Sequence, residues 1–330
     1  MSTIYGPVPS WRFGRSLGID VITPPKTCTY NCIYCQLGKT KIYVKSPEMV
    51  DKPLVNKDRI IRDLRGVLER IDLGSVDIVT FSGCGEPTLN MELREIARCV
   101  KEEIGEVPMA ILSNASLLHR EDIRRNLERF DVIVAKMDAG DDETFRRINR
   151  PADEKLSVEI IADSIKKLKG EVGGAVCLEV MLLESVDGEV CNVRGESLSK
   201  LINSIIDVDP DIVQLEVPYR PPSESYVKAP TEEDIQKVFD ELSEGFEKER
   251  IWVFGKHDMR GRKVYWRKHK RIEDEIYELL KRRPCSVADI SASMGIDPEL
   301  VMEAVSKLEE KGLIASKMEG GERYYFEISR

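Results

Sequence analysis

The chain alternates short runs of apolar or β-branched residues with longer segments of helical period between residues 18 and 254. The short runs predict seven strands, at residues 18–22, 76–81, 109–112, 132–135, 175–182, 212–217 and 251–254. Candidate helices lie between them, several of them beginning at Asn, Asp, Ser or Thr caps, near residues 57–70, 91–103, 120–129, 156–169, 196–206 and 231–249. Strand followed by helix, repeated about six times, predicts a parallel sheet. This period fits an open sheet, a full barrel or a partial barrel.

The pattern changes after residue 254. Residues 256–271 form a connector that carries eight Lys or Arg side chains, with Tyr265 and Trp266 among them. Beyond it, apolar positions predict three short helices, and residues 313–317 and 323–328 predict a hairpin around a Gly-Gly turn. Helices in this order, closed by a hairpin, are typical of a winged helix. We therefore expect three parts, at residues 1–255, 256–271 and 272–330.

Composition and charge narrow the class of protein. The 330 residues are 42% apolar, with 50 Lys and Arg against 59 Asp and Glu, a formal net charge of −9. This excludes a disordered chain. No run approaches the ~18 consecutive apolar residues of a membrane span, and the start lacks the apolar segment of a secretory signal. We expect a cytoplasmic protein without a membrane segment, whose eight cysteines bind metal or pack rather than form disulfides.

Three of these cysteines are closely spaced. Cys28, Cys32 and Cys35 are separated by three residues and then two, in a segment bounded by prolines and by Gly38 that reads as a loop. Three thiolates at this spacing can surround one metal centre. A zinc site would normally want a fourth Cys or His, and none lies near in sequence, although a small zinc loop remains the alternative. An iron–sulfur cubane held by three thiolates leaves one iron open to a substrate or cofactor.

A second motif, Gly83-Cys84-Gly85-Glu86-Pro87, follows the predicted strand at residues 76–81. Glycines at the carboxyl end of a strand let a ligand approach bare backbone, and α/β folds bind ligands at that end. Taken alone, a motif of this kind is more often only an ordinary turn.

Together the two motifs resemble the radical S-adenosylmethionine (SAM) superfamily. The signature of that family is Cys-x3-Cys-x2-Cys with an aromatic residue before the third cysteine, here Tyr34. The resemblance implies that Cys28, Cys32 and Cys35 ligate a [4Fe–4S] cluster whose fourth iron is chelated by SAM. One electron then cleaves SAM into methionine and a 5′-deoxyadenosyl radical, which abstracts hydrogen from a substrate. The implied fold class is α/β, a partial (β/α)6 TIM-like barrel, with the small winged-helix domain appended.

The resemblance also implies a set of SAM contacts. The segment from Gly83 to Pro87 resembles the family's GGEP motif, which contacts the SAM amino group, with Cys84 in place of the first glycine. Later strand ends supply further polar contacts, and looser matches fall at Glu179, Gln214 and Glu216. The expected cofactor-binding residues are Tyr34, Gly83, Cys84, Gly85, Glu86, Ser113, Asn114 and Asp138. Asp138 has an alternative role in the cap of the next helix.

Residues 6–18 and the segment at Arg220 resemble one branch of the superfamily, iron–sulfur oxidoreductases grouped with the wybutosine tRNA-modifying enzymes. Two arginines of the first segment, Arg12 and Arg15, suit an anionic group because guanidinium binds carboxylate or phosphate in a forked geometry. Surface salt bridges are the alternative. The wybutosine enzymes carry a second cysteine triplet ahead of the signature, whereas residues 1–27 contain no cysteine.

The remaining cysteines show no pair at metal-ligand spacing. Cys99, Cys177 and Cys285 are interpreted as packing residues, whereas Cys84 and Cys191 could face an active cavity.

Charges in the last domain bear on its partner. Residues 272–330 hold eight Lys and Arg against thirteen Asp and Glu, and the third helix is acidic. This favours protein docking over DNA binding, since phosphate neutralisation supplies most non-specific affinity for DNA. The connector at residues 256–271 is the better RNA candidate, because its cations can track a backbone while Tyr265 and Trp266 stack a base. A solvated linker is the alternative.

These observations predict a radical SAM enzyme of unidentified substrate, with a [4Fe–4S] cluster, SAM and a cytosolic electron donor as partners. Two alternatives stay open. One is a tRNA-modifying radical SAM enzyme, and the other is an iron–sulfur regulator that binds DNA through a winged helix.

Overall fold

A computed structural model describes residues 2–52, 54–259 and 271–328 of the chain. The strands within them are β1 (Ile4–Ser10), β2 (Gly14–Asp20), β3 (Thr27–Cys28), β4 (Ile42–Tyr43), β5 (Ile78–Ser82), β6 (Met109–Ser113), β7 (Val132–Lys136), β8 (Ala175–Met181), β9 (Glu184–Ser185), β10 (Ile212–Glu216), β11 (Val227–Lys228), β12 (Ile251–Val253), β13 (Ile314–Glu319) and β14 (Glu322–Glu327). The helices are α1 (Lys57–Leu68), α2 (Leu93–Ile104), α3 (Glu121–Arg125), α4 (Asp142–Ile148), α5 (Val158–Glu171), α6 (Gly195–Val208), α7 (Glu232–Leu242), α8 (Ile272–Leu280), α9 (Val287–Met294) and α10 (Pro298–Glu310).

The central layer is one sheet in the order β1-β2-β5-β6-β7-β8-β10-β12. β1 pairs antiparallel with β2, and every other neighbouring pair is parallel. The seven predicted strands correspond to the parallel strands from β2 to β12, with bounds that move by a few residues. The predicted α/β class, with a central parallel sheet of partial TIM-like form, is confirmed.

The first strand, β1, is an addition to the predicted fold. Its sequence contains Gly6, Pro7 and Pro9, residue types that are depleted in strands, so its strand propensity is low. β1 is an edge strand, which tolerates proline because one side of its backbone has no neighbour to pair with. The ladder with β2 is also interrupted between Tyr5 and Val8. β1 and β2 therefore form a β-hairpin of which only the second strand was predicted.

The tip of this hairpin reaches the opposite edge of the sheet. The Trp11 ring packs edge-on against Phe254 at 5.8 Å between centroids, and the Trp11 carbonyl accepts a hydrogen bond from Met259 N at 3.0 Å. Phe254 directly follows β12, the last strand in the sheet order. The turn between β1 and β2 thus contacts the segment that follows β12. The two edges of the sheet are joined in this way, and the sheet curves around a common interior.

Amphipathic helices pack against the sheet, and they follow the predicted periods. α2 buries Leu93, Ile96 and Val100 at helical spacing. Two helices are shorter than predicted, since α3 ends at Arg125 and α7 at Leu242. Turns complete the first segment, and turns followed by a short 3-10 helix at Lys248–Arg250 complete the second.

Residues 271–328, called the C-terminal module below, contain α8, α9, α10 and the hairpin of β13 and β14. Ile276, Ile290 and Val305 lie in its apolar cluster, which Val8 of β1 joins. The order of elements is the predicted one, and the winged-helix assignment stays a prediction. Most of the predicted basic connector, residues 260–270, lies outside the described residues. No helix in the described ranges is both long and apolar enough to cross a membrane.

Candidate active site

A cavity of about 330 Å³ lies at the carboxyl ends of the parallel strands, where α/β folds place ligands. Its wall includes residues at the ends of five strands, namely Ser82, Ser113, Lys136, Met181 and Glu216. The cysteine loop, the loop at residues 83–87, the tip of the first hairpin and the turn after α8 complete the wall.

The three signature cysteines line one side of this cavity. Cys28 lies in β3, and Cys32 and Cys35 lie in the loop that follows; the first two are buried and the third is half-buried. Ile33 N donates to the carbonyl of Ile148 at 3.0 Å, which ties the loop to the end of α4. Within the described part of the chain, no group of three or more His, Cys, Asp or Glu side chains is arranged to hold a single metal ion.

Two of the cysteine sulfurs accept N–H groups from the surrounding protein. Cys28 Sγ accepts from Tyr30 N at 3.5 Å and from Asn114 Nδ2 at 3.6 Å, and Cys32 Sγ accepts from Asn149 Nδ2 at 3.6 Å. Such donors favour negative charge on sulfur. Asn114 was expected at the site for another reason, whereas Asn149 was missed, because nothing in its local sequence signals that the end of α4 packs on the cysteine loop.

Lys26 supplies a cation beside the third cysteine. Its Nζ donates to Cys35 Sγ at 3.1 Å and to the Gly38 carbonyl at 2.6 Å. Burial raises the pKa of Cys28 to about 12 and that of Cys32 to about 11. Burial acts on Cys35 in the same direction, but the Lys26 ammonium outweighs it and lowers the pKa of Cys35. The three thiols therefore differ in how readily the protein alone ionises them.

The glycine-rich loop packs directly on the cysteine loop. Thr27 N donates to the Cys84 carbonyl at 2.9 Å, and Glu86 N donates to the Thr27 carbonyl at 3.1 Å. Gly85 has φ +140°, and a Cβ there would lie 1.6 Å from the Thr27 carbonyl oxygen. A Cβ at Gly83 would lie 2.8 Å from the Ile22 side chain. Glycine is required here because two loops of the chain are in direct contact. From the sequence alone, these glycines were expected only to let a ligand approach the backbone.

The Glu86 carboxylate is buried and organises three other residues. Its Oε1 accepts from Thr88 Oγ1 at 2.7 Å and from Ser113 Oγ at 2.8 Å, and its Oε2 accepts from Asn114 N at 2.7 Å. Burial raises the pKa of Glu86, and these donors oppose the rise. Glu86, Ser113 and Asn114 are brought together on the cavity wall, as the sequence predicted, and they are joined to one another directly.

Asp138 lies behind the cavity wall and not on it. Its side chain is fully buried, Oδ2 accepts from Tyr34 OH and from Asn149 Nδ2, each at 2.6 Å, and Oδ1 accepts from Met181 N at 2.8 Å. The expected direct contact with SAM is not favoured by this position, because the protein itself occupies both oxygens. The alternative role in the helix cap is also wrong, since Asp141 caps α4.

A buried network of charges, in part missed by sequence reasoning, lies across the cavity. Arg12 pairs with Glu179 and with Glu216, the latter at 2.6 Å, and Lys136 pairs with Glu179. Arg12 Nε also donates to Gln214 Oε1 at 2.8 Å. Burial opposes ionisation of Glu179, but Arg12 and Lys136 outweigh it and lower its pKa. The loosely matched residues Glu179, Gln214 and Glu216 are thus gathered by Arg12 from the first hairpin.

Among the other predicted residues, some line the cavity and some have only a structural role. Arg15 forms a salt bridge with Asp77 at 2.8 Å, which is the simpler alternative. Cys84 lines the cavity, whereas Cys191 is absent from the described lining. Cys177 and Cys285 are buried as packing residues.

Comparison with known proteins points to one family. Residues 22–189 match the radical SAM superfamily. A protein named GTPase Obg from Brachyspira hyodysenteriae is 32% identical over 323 residues, which cover 96% of this chain and 44% of that protein. The chain therefore spans less than half the length of that relative. A UPF0026 protein of Methanocaldococcus jannaschii is 32% identical over 258 residues, covering 78% of this chain and 76% of that protein.

Among solved structures, Streptococcus suis SuiB bound to S-adenosylmethionine has a TM-score of 0.47 at 14% identity, over 72% of this chain and 50% of SuiB. A likeness at this level carries no weight here, and the assignment rests on the sequence matches. The chain belongs to the radical SAM superfamily, whose cofactors are a [4Fe–4S] cluster and SAM.

Proposed function

We propose that the chain is an enzyme that reductively cleaves SAM at a [4Fe–4S] cluster on Cys28, Cys32 and Cys35. When bound, the cluster and SAM supply a 5′-deoxyadenosyl radical for hydrogen abstraction from a substrate in the cavity. The observation that carries the proposal is that the three cysteines and the Gly83–Pro87 loop line the same cavity and are hydrogen-bonded to each other through Thr27.

The donor set supports a thiolate-ligated cluster. Cys28 and Cys32 accept N–H groups at their sulfurs, and Cys35 lies 3.1 Å from the Lys26 ammonium. These groups stabilise negative sulfur, and a cluster ligated by three cysteines requires three thiolates. Burial alone opposes that ionisation, so the positive iron of a cluster is the natural partner for these thiols.

The residues beside the cysteines suit SAM. Gly83, Cys84 and Gly85 offer backbone on the cavity wall, and Glu86 fixes Ser113 and Asn114 next to them. Asp138 acts indirectly, because it accepts hydrogen bonds from the hydroxyl of Tyr34 and the side-chain amide of Asn149. We therefore infer that Asp138 positions the cysteine loop and that the other residues face SAM.

The acidic α10 argues against a DNA-binding regulator. Lys307 and Lys311 both pair with Glu273 of α8, at 3.4 and 2.8 Å, so both cations are already engaged by a carboxylate within the C-terminal module. Glu299, Glu303 and Glu310 of α10 lack such partners among the contacts of the described residues, and a helix with this balance is repelled by phosphates.

The experiment is anaerobic reconstitution with iron and sulfide, followed by dithionite and SAM, with 5′-deoxyadenosine as the readout. We expect 5′-deoxyadenosine from the wild type and from the control variant Cys99→Ala, whose cysteine lies on α2 away from the cavity. The triple variant Cys28→Ala, Cys32→Ala, Cys35→Ala should form none. Absence of product in the wild type, or its persistence in the triple variant, would overturn the proposal.

A further inference from the structure

The C-terminal module closes one side of the cavity. The turn after α8 contributes Lys281, Arg282 and Arg283 to the wall. Arg282 Nε donates to Asp20 Oδ2 at 2.7 Å in a buried pair, which fixes this turn to the end of β2. A second pair, Arg70 to Glu275 at 2.7 Å, fixes α8 itself. The cavity is thus built jointly by the barrel and the module.

Positive charge exceeds negative charge on the described part of the wall. The seven cationic side chains there are Arg12, Lys26, Lys136, Arg220, Lys281, Arg282 and Arg283, and the four carboxylates are Asp20, Glu86, Glu179 and Glu216. Five of these cations have close partners. Arg12 pairs with Glu179 and Glu216, and Lys136 pairs with Glu179. Arg282 pairs with Asp20, Lys281 pairs with Glu278, and Lys26 donates to Cys35 Sγ. The surplus falls on Arg220 and Arg283.

Arg220 is almost fully buried, yet its donors are only partly used. Nη1 donates to Gln36 Oε1 at 3.1 Å and to Tyr219 OH at 2.6 Å. The nearest carboxylate, Asp289 of α9, is 3.7 Å from Nη2, beyond hydrogen-bond distance, and Nε has no partner. One guanidinium therefore bridges the residue after Cys35 and the C-terminal module without a close counter-ion.

Arg283 is less satisfied still. Its buried Nε and Nη2 have no hydrogen-bond partner, and no carboxylate of the described residues forms an ion pair with it. The Arg220 guanidinium lies 4.6 Å from the centroid of the Tyr219 ring, and Arg283 lines the same cavity as both of them. Tyr219 in turn stacks on Phe254 at 4.4 Å between centroids. Two arginines and an aromatic ring held by stacking thus line the same cavity.

Buried guanidinium donors without acceptors are costly, and a bound anion removes that cost. A carboxylate carries one negative charge, whereas a phosphoryl group carries close to two and presents three free oxygens, so it matches two guanidinium groups in both charge and acceptors. We propose that the substrate of this enzyme carries a phosphoryl group, bound between Arg220 of the barrel and Arg283 of the C-terminal module. This inference rests on the proposed function, because it identifies the substrate class of that same cavity.

The position of Arg220 also places the anion site beside the cysteine loop. Through Gln36 it is anchored one residue beyond Cys35, so a phosphoryl group held there fixes a substrate beside the cysteine loop. The module then acts as part of the substrate site.

The test titrates the full reconstituted chain with inorganic phosphate at constant ionic strength, following thermal unfolding and heat of binding. A ligand that binds only the folded state raises the unfolding temperature in proportion to its occupancy. We expect phosphate to stabilise the wild type and to bind at least about tenfold more weakly to Arg220→Gln and to Arg283→Gln. Arg283→Lys keeps the positive charge but loses the forked pair of donors. Its affinity for phosphate should therefore lie between those of the wild type and Arg283→Gln.

Matched controls separate this site from general positive charge. Arg129→Gln and Arg323→Gln remove exposed arginines of the barrel and of the module, and both should keep the wild-type phosphate response. Without phosphate, Arg283→Gln should unfold at or above the wild-type temperature, since it loses donors that have no acceptor. Such an unfolding temperature shows that the variant is folded. Loss of its phosphate response would then mean that the phosphate site itself is lost.

The source of the phosphoryl group is resolved by two further ligands. Phenyl phosphate presents a monoester, and a short single-stranded RNA without terminal phosphates presents only diesters. Arginine-dependent binding of the monoester alone supports a phosphorylated small molecule. Arginine-dependent binding of the RNA supports a nucleic-acid substrate with the same phosphoryl chemistry.

An equal phosphate response in the wild type, both arginine variants and both controls would overturn the anion site, as would no response in any of them. Weaker SAM binding in the two arginine variants, with the phosphate response retained, would also overturn it, because the cations would then hold the SAM carboxylate. Failure of the proposed function is distinguishable, since it appears as absence of 5′-deoxyadenosine in the wild type whatever phosphate does.

Discussion

The Tyr34 hydroxyl donates a 2.6 Å hydrogen bond to Oδ2 of Asp138, a fully buried carboxylate that Asn149 also contacts at 2.6 Å. The aromatic residue of the cysteine signature is thereby fixed to the end of β7. Through Asn149, the same carboxylate also orients a donor to Cys32 Sγ. One buried acid thus connects the sheet to two residues of the cysteine loop.

Replacing Asp138 should therefore disturb the loop. Asp138→Asn turns one acceptor into a donor that faces Tyr34, Asn149 or Met181 N, all of which already donate. We expect a loss of at least about 2 kcal/mol in the free energy of unfolding. SAM affinity should weaken as well. Chemical unfolding and calorimetric SAM binding check both effects, and the exposed Asp51→Asn is the control. Unchanged stability and affinity in Asp138→Asn would contradict the positioning role.

The donors to cysteine sulfur should tune the cluster. Asn114→Ala removes the Nδ2 group that lies 3.6 Å from Cys28 Sγ. Hydrogen bonds to sulfur stabilise the reduced, more negative cluster, so the midpoint potential should become more negative. A redox titration followed by electron paramagnetic resonance measures this. Asn203→Ala, on the exposed side of α6, should leave the potential unchanged. A potential equal to that of the wild type in Asn114→Ala would remove the tuning role.

The Glu179 network predicts a pH dependence of stability. The pKa of Glu179 is lowered in the folded protein from its ordinary value of 4.5, because Arg12 and Lys136 outweigh the effect of burial. Its ion pairs therefore stabilise the fold above pH 4.5, and that contribution is lost as the pH falls through the lowered folded pKa. On the order of 1–3 kcal/mol should be lost on this acid side.

Thermal unfolding as a function of pH tests this for the wild type and for Glu179→Gln. The variant should be less stable at neutral pH and should lose less stability on acidification. Glu244→Gln, which removes an exposed carboxylate, should follow the wild-type curve. Parallel curves for the wild type and Glu179→Gln would contradict the assigned direction of the pKa shift.

The buried pair of Arg282 and Asp20 should couple the C-terminal module to the barrel. Removing one partner leaves the other charge buried, so Arg282→Leu or Asp20→Leu alone should cost about 3–5 kcal/mol. The double variant should cost less than the sum. The same cycle on Lys311 and Glu273, an exposed pair, should give a coupling of at most about 1 kcal/mol. Additive costs at Arg282 and Asp20 would show that the pair does not hold the module.

Much of the fold was predictable because it is encoded locally. The period of apolar residues identified the seven parallel strands, and the spacing of Cys28, Cys32 and Cys35 identified the loop. β1 was not predictable, because its prolines and Gly6 oppose a strand and only its edge position permits one.

The site was predictable where a motif defines it and was missed where distant segments meet. Arg12 and Glu179 are 167 positions apart in sequence, and their contact depends on the first hairpin crossing the sheet. Asp138 follows a strand end, as do cavity residues, but the direction of its side chain depends on packing against Tyr34 and Met181. Arg283 lies in another module altogether, and its role depends on how that module packs on β1.

The most direct test of the central claim is the electron paramagnetic resonance spectrum of the dithionite-reduced, reconstituted protein with and without SAM. We expect a [4Fe–4S] signal that SAM alters, because in our proposal SAM binds the iron that Cys28, Cys32 and Cys35 leave open. The signal should be absent when these three cysteines are replaced by alanine. A cluster signal that SAM leaves unchanged, or one that survives the triple replacement, would contradict it.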